Sequence, residues 1–108
     1  MAQDFRNALF REIGTSDQAL LAGGNYDAVI GIRCCNILTS TIAVDVKIAK
    51  SGADYFLAKG VVIPPNSAIE LIQGGAKIVL KNGDVLKAVS NTASSVDIVT
   101  SFINQISS

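Results

Sequence analysis

The stretch AVIGIRCCNILTSTIAVDVKI, from Ala28 to Ile48, decides the fold class. In its second half Ile42, Val44, Val46 and Ile48 alternate with Ala43, Asp45 and Lys47. Period two, with β-branched residues on one side, predicts a strand with one buried and one wet face, as antiparallel sheets have. The first half, Ala28 to Leu38, is more continuously apolar and predicts a central strand. Thr39-Ser40-Thr41 between them is short enough for a hairpin.

Strands and turns continue towards the C-terminus. After the turn KSGAD (Lys50 to Asp54), the run DYFLAKGVVI predicts a strand in which Gly60 marks a bulge or bend. VVIPPNSAIEL (Val61 to Leu71) then sets a choice between a binding site and a corner. Proline donates nothing to a ladder and fixes its own φ, and the residue before it is pushed to an extended form. There is no PxxP pattern of a recognition ligand. Pro64 and Pro65 are therefore predicted to form a rigid corner between two strands. In AKIVLKNGDVLKAVS, Asn82-Gly83 lies between two β-rich runs, and predicts a hairpin with a type I′ turn. Asp84 beside it reads as a turn residue. NTASS (Asn91 to Ser95) is a further turn. VDIVTSFINQI (Val96 to Ile106) is apolar on both alternating sets, so it needs cover on both faces, from its own fold or from a neighbour.

Towards the N-terminus, DQALLAGGNYD reads as a short strand and a glycine turn. Phe5, Leu9 and Ile13 stand at helical spacing, yet a strand over Leu9 to Ile13 before the turn GTSD fits equally well, and is narrowly preferred. Residues 1–14 are thus an extended or helical arm available for assembly. The whole chain, 1–108, is expected to be one all-β domain. Its predicted form is an antiparallel β-sandwich, jelly-roll-like, of about seven or eight short strands.

Composition narrows the function. Charged residues are 17% of the chain against 49% hydrophobic, with zero net charge, so little charge is spare to keep a free monomer soluble and a surface covered by partners is expected. The nine Lys and Arg are spread among equally spread acids, which excludes a sequence-level basic patch for nucleic acid. No run approaches the roughly 18 apolar residues of a spanning helix. The opening MAQDFRNALFREIG carries charges throughout and has no leader-like apolar region, so a cytoplasmic origin is expected.

The chemistry-bearing residues are few. There is no histidine, which removes the commonest general base and every Ser-His or Cys-His nucleophile. Asp45, Glu70, Asp84 and Asp97 could supply a carboxylate pair, but each stands where a surface strand or turn expects a charge. Gly23-Gly24 and Gly74-Gly75 match no phosphate-binding loop. Cys34 and Cys35, adjacent on a strand, point to opposite faces and read as reduced, packed thiols; two cysteines without histidine leave zinc short of ligands. No enzyme, metal or cofactor is expected.

Taken together, DAVIGIRCCNILTSTIAVDVKI, SGADYFLAKGVVIPPNSAIELI, KIVLKNGDVLKAVS and SSVDIVTSFINQI resemble small virion structural proteins of tailed bacteriophages. In that pattern an apolar strand ending in Asn leads to an alternating strand, then a tyrosine-bearing strand, an "IPxxS" corner, an "xIVLxxGDxLKV" hairpin and a final "SVDVxxS" strand. The resemblance runs from Tyr26 to the C-terminus. It departs at Cys34-Cys35, where small or apolar residues are the pattern, and does not place FRNALFREIG. It implies a non-enzymatic virion component, in many copies, made in the host cytoplasm. Such a protein would be a head decoration or cement protein, or a neck or tail accessory. Its partners would be itself, as a trimer or larger, and virion proteins such as the major capsid or neck and tail subunits. For contacts, Phe5, Leu9 and Phe10 at one end and Phe102, Ile103 and Ile106 at the other are expected. The alternative is a host-surface carbohydrate-binding module built on loops around Tyr26, Tyr55 and Asn66.

Overall fold

A computed structural model describes residues 4–22, 27–72 and 78–104. Nine strands run through them, with no helix: β1 (Asp4–Ile13), β2 (Gln18–Ala22), β3 (Asp27–Asn36), β4 (Ile42–Lys50), β5 (Ala53–Ile63), β6 (Ala68–Glu70), β7 (Ile78–Leu80), β8 (Val85–Ser90) and β9 (Val96–Asn104). The pairing is nested. β1 pairs with β9, β2 with β8, β3 with β6 and β7, and β4 with β5, all antiparallel. The chain is thus rolled up as one long hairpin. Lateral pairing of β3 with β9 and of β4 with β8 closes it into two sheets, β1-β9-β3-β6 with β7 also on β3, and β2-β8-β4-β5. That order is the jelly roll, two Greek keys wrapped around one core. The count exceeds the expected seven or eight because the edge beside β3 is split into two three-residue strands.

Alternation along the strands fills the space between the sheets. Ile32, Ile42, Ile63, Leu80, Leu86 and Ile98 are almost wholly buried there. Burying each such side chain stabilises the fold by about 1.5–3 kcal/mol. Of the two forms open to residues 1–14, the described stretch Asp4–Ile13 takes the extended one. β1 is paired with β9 from Asp4 to Ile13, with a bulge after Phe10.

Two expected hairpins are not hairpins. β3 and β4 lie in different sheets, so Thr39-Ser40-Thr41 is a crossing. Asn36, which is fully buried, braces it. Asn36 Nδ2 donates to the carbonyls of Ser40 (2.8 Å), Ile63 (3.0 Å) and Pro64 (3.1 Å), while Oδ1 accepts from Leu38 N–H (2.9 Å). With two N–H groups for three carbonyls, one of the bonds is shared, and one amide thereby serves backbone groups of two corners at once. The second correction is Asn82-Gly83. It is a turn as expected, but β7 belongs to the first sheet and β8 to the second. Only Gly83 has positive φ (95°), whereas a type I′ turn needs it at both central positions. The turn is closed instead by Asp84, whose N–H donates to Lys81 O (3.0 Å) and whose Oδ2 accepts from Lys81 N–H (3.0 Å).

The proline stretch is a corner. Pro64 to Ser67 carry the chain from β5 in one sheet to β6 in the other, with Asn66 in the left-handed region at φ 53°. Asn66 N–H donates to Leu38 O (3.1 Å), and Ser67 O accepts from Asn36 N–H (2.8 Å), so this corner and the β3–β4 crossing hold each other. Pro65→Ala is expected to lower the unfolding free energy by only about 0.4–1 kcal/mol, through the freer unfolded chain, as read from a urea midpoint. Gly60 is a bulge as expected: at φ 63°, it and Lys59 stand against Asp45, whose Oδ1 accepts from Gly60 N–H at 2.6 Å.

Candidate assembly surfaces

The carboxylates that were candidates for chemistry are engaged in structure. Asp97 Oδ1 accepts from Glu12 N–H at 2.8 Å, and Glu70 pairs with Arg33 Nε at 3.2 Å. Asp45 holds the β5 bulge, with Lys59 at 3.9 Å. Asp84 is nearly buried, with Lys50 Nζ 3.4 Å from its Oδ1. Among the described residues no group of three or more Cys, Asp or Glu could hold a metal ion. No helix here is long and apolar enough to cross a membrane.

The Asp84 carboxyl is held below its ordinary value of 3.8, first by the Lys81 N–H and then by Lys50, against the opposing effect of burial. A depressed carboxylate stabilises the fold above its unfolded pKa and loses that contribution as pH falls through its folded pKa. Urea midpoints of the wild type are therefore expected to drop below about pH 4, and to drop less steeply in Asp84→Asn. A parallel drop in both would show that the turn carboxylate has no part in it.

Cys34 and Cys35 are free and on opposite faces, as their adjacency requires. Cys34 points into the core, and burial, with Glu70 adding to it, pushes its thiol up to about 12.

Lys47 occupies the outer face of β4, where water was expected. It is buried instead, with Nζ 2.9 Å from Asp17 and 3.2 Å from Asp54, and the Phe56 ring centre 5.7 Å away. The hydrogen bond to Asp17 is the main cause of its raised pKa, and burial opposes it. This charge ties the β1–β2 connection to the β4–β5 hairpin.

Among the described residues, exposed apolar side chains gather in two places, Ile37 apart. The first is the outer face of the β1-β9-β3 sheet. β9 lies inside that sheet, between β1 and β3, and its two apolar sets part company. Val96, Ile98 and Phe102 turn inward, and Val99 and Ile103 outward. Register aligns Leu9, Val99 and Arg33 in one row, and Phe5, Ile103, Ala28 and Val79 in another. Leu9 is 66% exposed. The second place is β5, an edge strand of eleven residues on which Tyr55, Phe56, Leu57 and Val62 are all exposed.

The expected contact residues are thus divided by the fold. Leu9 is open, Ile103 is half-buried on the outer face, Phe10 packs against the core and Phe102 lies within it. Phe5 is in β1 opposite Ile103, its side chain outside the described residues, as is Ile106 altogether. Phe56 and Leu57 were not singled out from the sequence. The signal was the same as at β9, large apolar residues on both alternating sets. Of the residues expected for a carbohydrate site, Tyr55 and Asn66 are not brought together. Tyr55 lies eight residues before the end of β5 and Asn66 beyond it, which separates them by about 25 Å of extended chain. Tyr26 falls outside the described residues.

No protein-family model matches this chain, and no curated protein matches it. Among solved structures it is similar to a chain in the acidic-stable capsid structure of the Helicobacter pylori bacteriophage KHP30. The TM-score is 0.61 at 12% identity, over 95% of this chain and 87% of that one. At that identity the shared property is the fold.

Proposed function

We propose that this protein is a non-enzymatic structural component of a bacteriophage virion. In this reading it self-associates as a trimer or larger and clamps neighbouring subunits, as a head decoration or cement protein or as a neck or tail accessory. The observation that carries the reading is the jelly roll shared along almost the whole chain with a component of a phage capsid structure. The open apolar face around Leu9 and Val99 supports it, since large interfaces between virion subunits are built on shape and apolar area. So does the low charge of the chain.

The test is solution mass by light scattering across a concentration series, on the wild type and on Leu9→Asp. A stable trimer or larger is expected for the wild type. Leu9→Asp is expected to shift it towards monomer while moving stability by no more than about 0.5 kcal/mol, as at other surface sites. A wild type that stays monomeric at every concentration would end the self-assembly reading. An oligomer unaffected by Leu9→Asp would move the interface elsewhere, with the β5 edge next to be tried through Tyr55→Asp.

A further inference from the structure

Asn82-Gly83 is the only Asn-Gly pair in the chain. The other asparagines precede Ala8, Tyr26, Ile37, Ser67, Thr92 and Gln105, all of which carry a side chain that crowds the following peptide nitrogen. The four-residue turn Lys81 to Asp84 is pinned at both ends by its two reciprocal 3.0 Å hydrogen bonds. Its two middle residues are exposed. A Cβ built on Gly83 would meet nothing within 4 Å, so no other part of the described chain crowds that side of the turn. Among the described residues the Gly83 N–H donates no hydrogen bond. Asn36 and Asn91 contrast with it, since their side chains are held by backbone partners.

We propose that Asn82 is a site of spontaneous backbone modification in the folded protein. Solvent hydroxide removes the Gly83 amide proton, and the nitrogen attacks Asn82 Cγ. A C–N bond forms and the side-chain amide leaves, taking up a proton from water, as ammonia. The product is a five-membered succinimide. Water then adds to one of its two carbonyls and opens the ring, giving aspartate, or isoaspartate with the main chain rerouted through the side-chain carbon. No oxidant or reductant is involved.

The fold gives this reaction a consequence. Isoaspartate lengthens the main chain by one carbon inside a turn whose ends are pinned, which breaks the match between Lys81 N–H and the Asp84 carboxylate. The new carboxylate also arrives two residues from Asp84, whose side chain is only 9% exposed. The modified turn therefore loses the clamp that carries the chain from β7 to β8. The inference does not depend on the virion role.

The test is incubation of the folded full chain in mildly alkaline and mildly acidic buffer, beside the chain unfolded in urea and the Asn82→Gln variant. Intact mass, anion exchange and peptide mapping with isoaspartate detection would follow it. The expected result is replacement of an amide by an acid at position 82 ahead of every other asparagine. It should proceed faster in alkali, in the folded protein nearly as fast as in urea, and be absent from Asn82→Gln. The isoaspartate fraction should show a lower urea midpoint than unmodified protein. Conversion in urea but not in the folded state would overturn the proposal, because the turn would then protect the site. Conversion with an unchanged midpoint would overturn its consequence.

Discussion

Asn36→Ala is expected to lower the unfolding free energy by about 4 kcal/mol, a large part of the 5–15 kcal/mol that holds a domain of this kind together. The substitution removes one amide, yet four backbone groups lose their partner: the carbonyls of Ser40, Ile63 and Pro64 and the N–H of Leu38. Each buried group left unpaired costs about 1–3 kcal/mol, less where water can enter. The isosteric change Asn36→Asp is expected to be worse than alanine at neutral pH. It keeps the acceptor for Leu38 but turns an oxygen towards three carbonyl oxygens, and buries a charge without a partner. Urea unfolding of both variants beside Asn91→Ala, at an exposed turn, decides the matter. If Asn36→Ala proved no worse than Asn91→Ala, the two corners would be held by something other than this side chain.

Phe102→Asp and Ile103→Asp, adjacent substitutions of the same kind, are expected to part company completely. Phe102 is 8% exposed and lies opposite Val29 within the core. Its truncation to alanine is expected to cost about 3–5 kcal/mol, and an unpaired carboxylate there more than that, so Phe102→Asp should not fold. Ile103 looks outward, half-buried, in the row with Ala28 and Val79, and its aspartate variant is expected to fold, at a cost well below that of Phe102→Asp. Circular dichroism and a thermal melt on the pair would show this before any question of assembly is raised. Loss of particle incorporation by Phe102→Asp would therefore report on folding, and the same loss by Ile103→Asp on a contact. A folded Phe102→Asp beside an unfolded Ile103→Asp would mean that the inward and outward sets of β9 had been assigned the wrong way round, and two well-folded variants that Phe102 is not held in the core.

The pair also shows where reading the chain stops. Alternation at Ile42, Val44 and Val46 is legible because only one set is apolar, and the buried side follows from it. In β9 both sets are apolar, so period two establishes a strand but cannot say which set faces in. The YFL run of β5 carries the same signal with a different outcome. β9 is enclosed between two strands with one face packed, whereas β5 lies at an edge with its side chains open. Neighbours in the sheet decide between these, and they come from distant parts of the chain.

The sequence by itself determined that this is an all-β sandwich, where most of its strands run from Ala28 onwards, that one bulges at Gly60, and where the chain must leave them, at Pro64-Pro65, Asn82-Gly83 and Asn91 to Ser95. Those features are local: they follow from side-chain period, fixed φ and the freedom of glycine. The tertiary structure alone decided which sheet each strand enters. A turn that reverses a strand within a sheet and one that carries it across to the other are written with the same residues. The difference lies in long-range hydrogen bonds such as those from Asn36 to Ile63 and Pro64, where one buried amide commits two separate corners to a jelly roll.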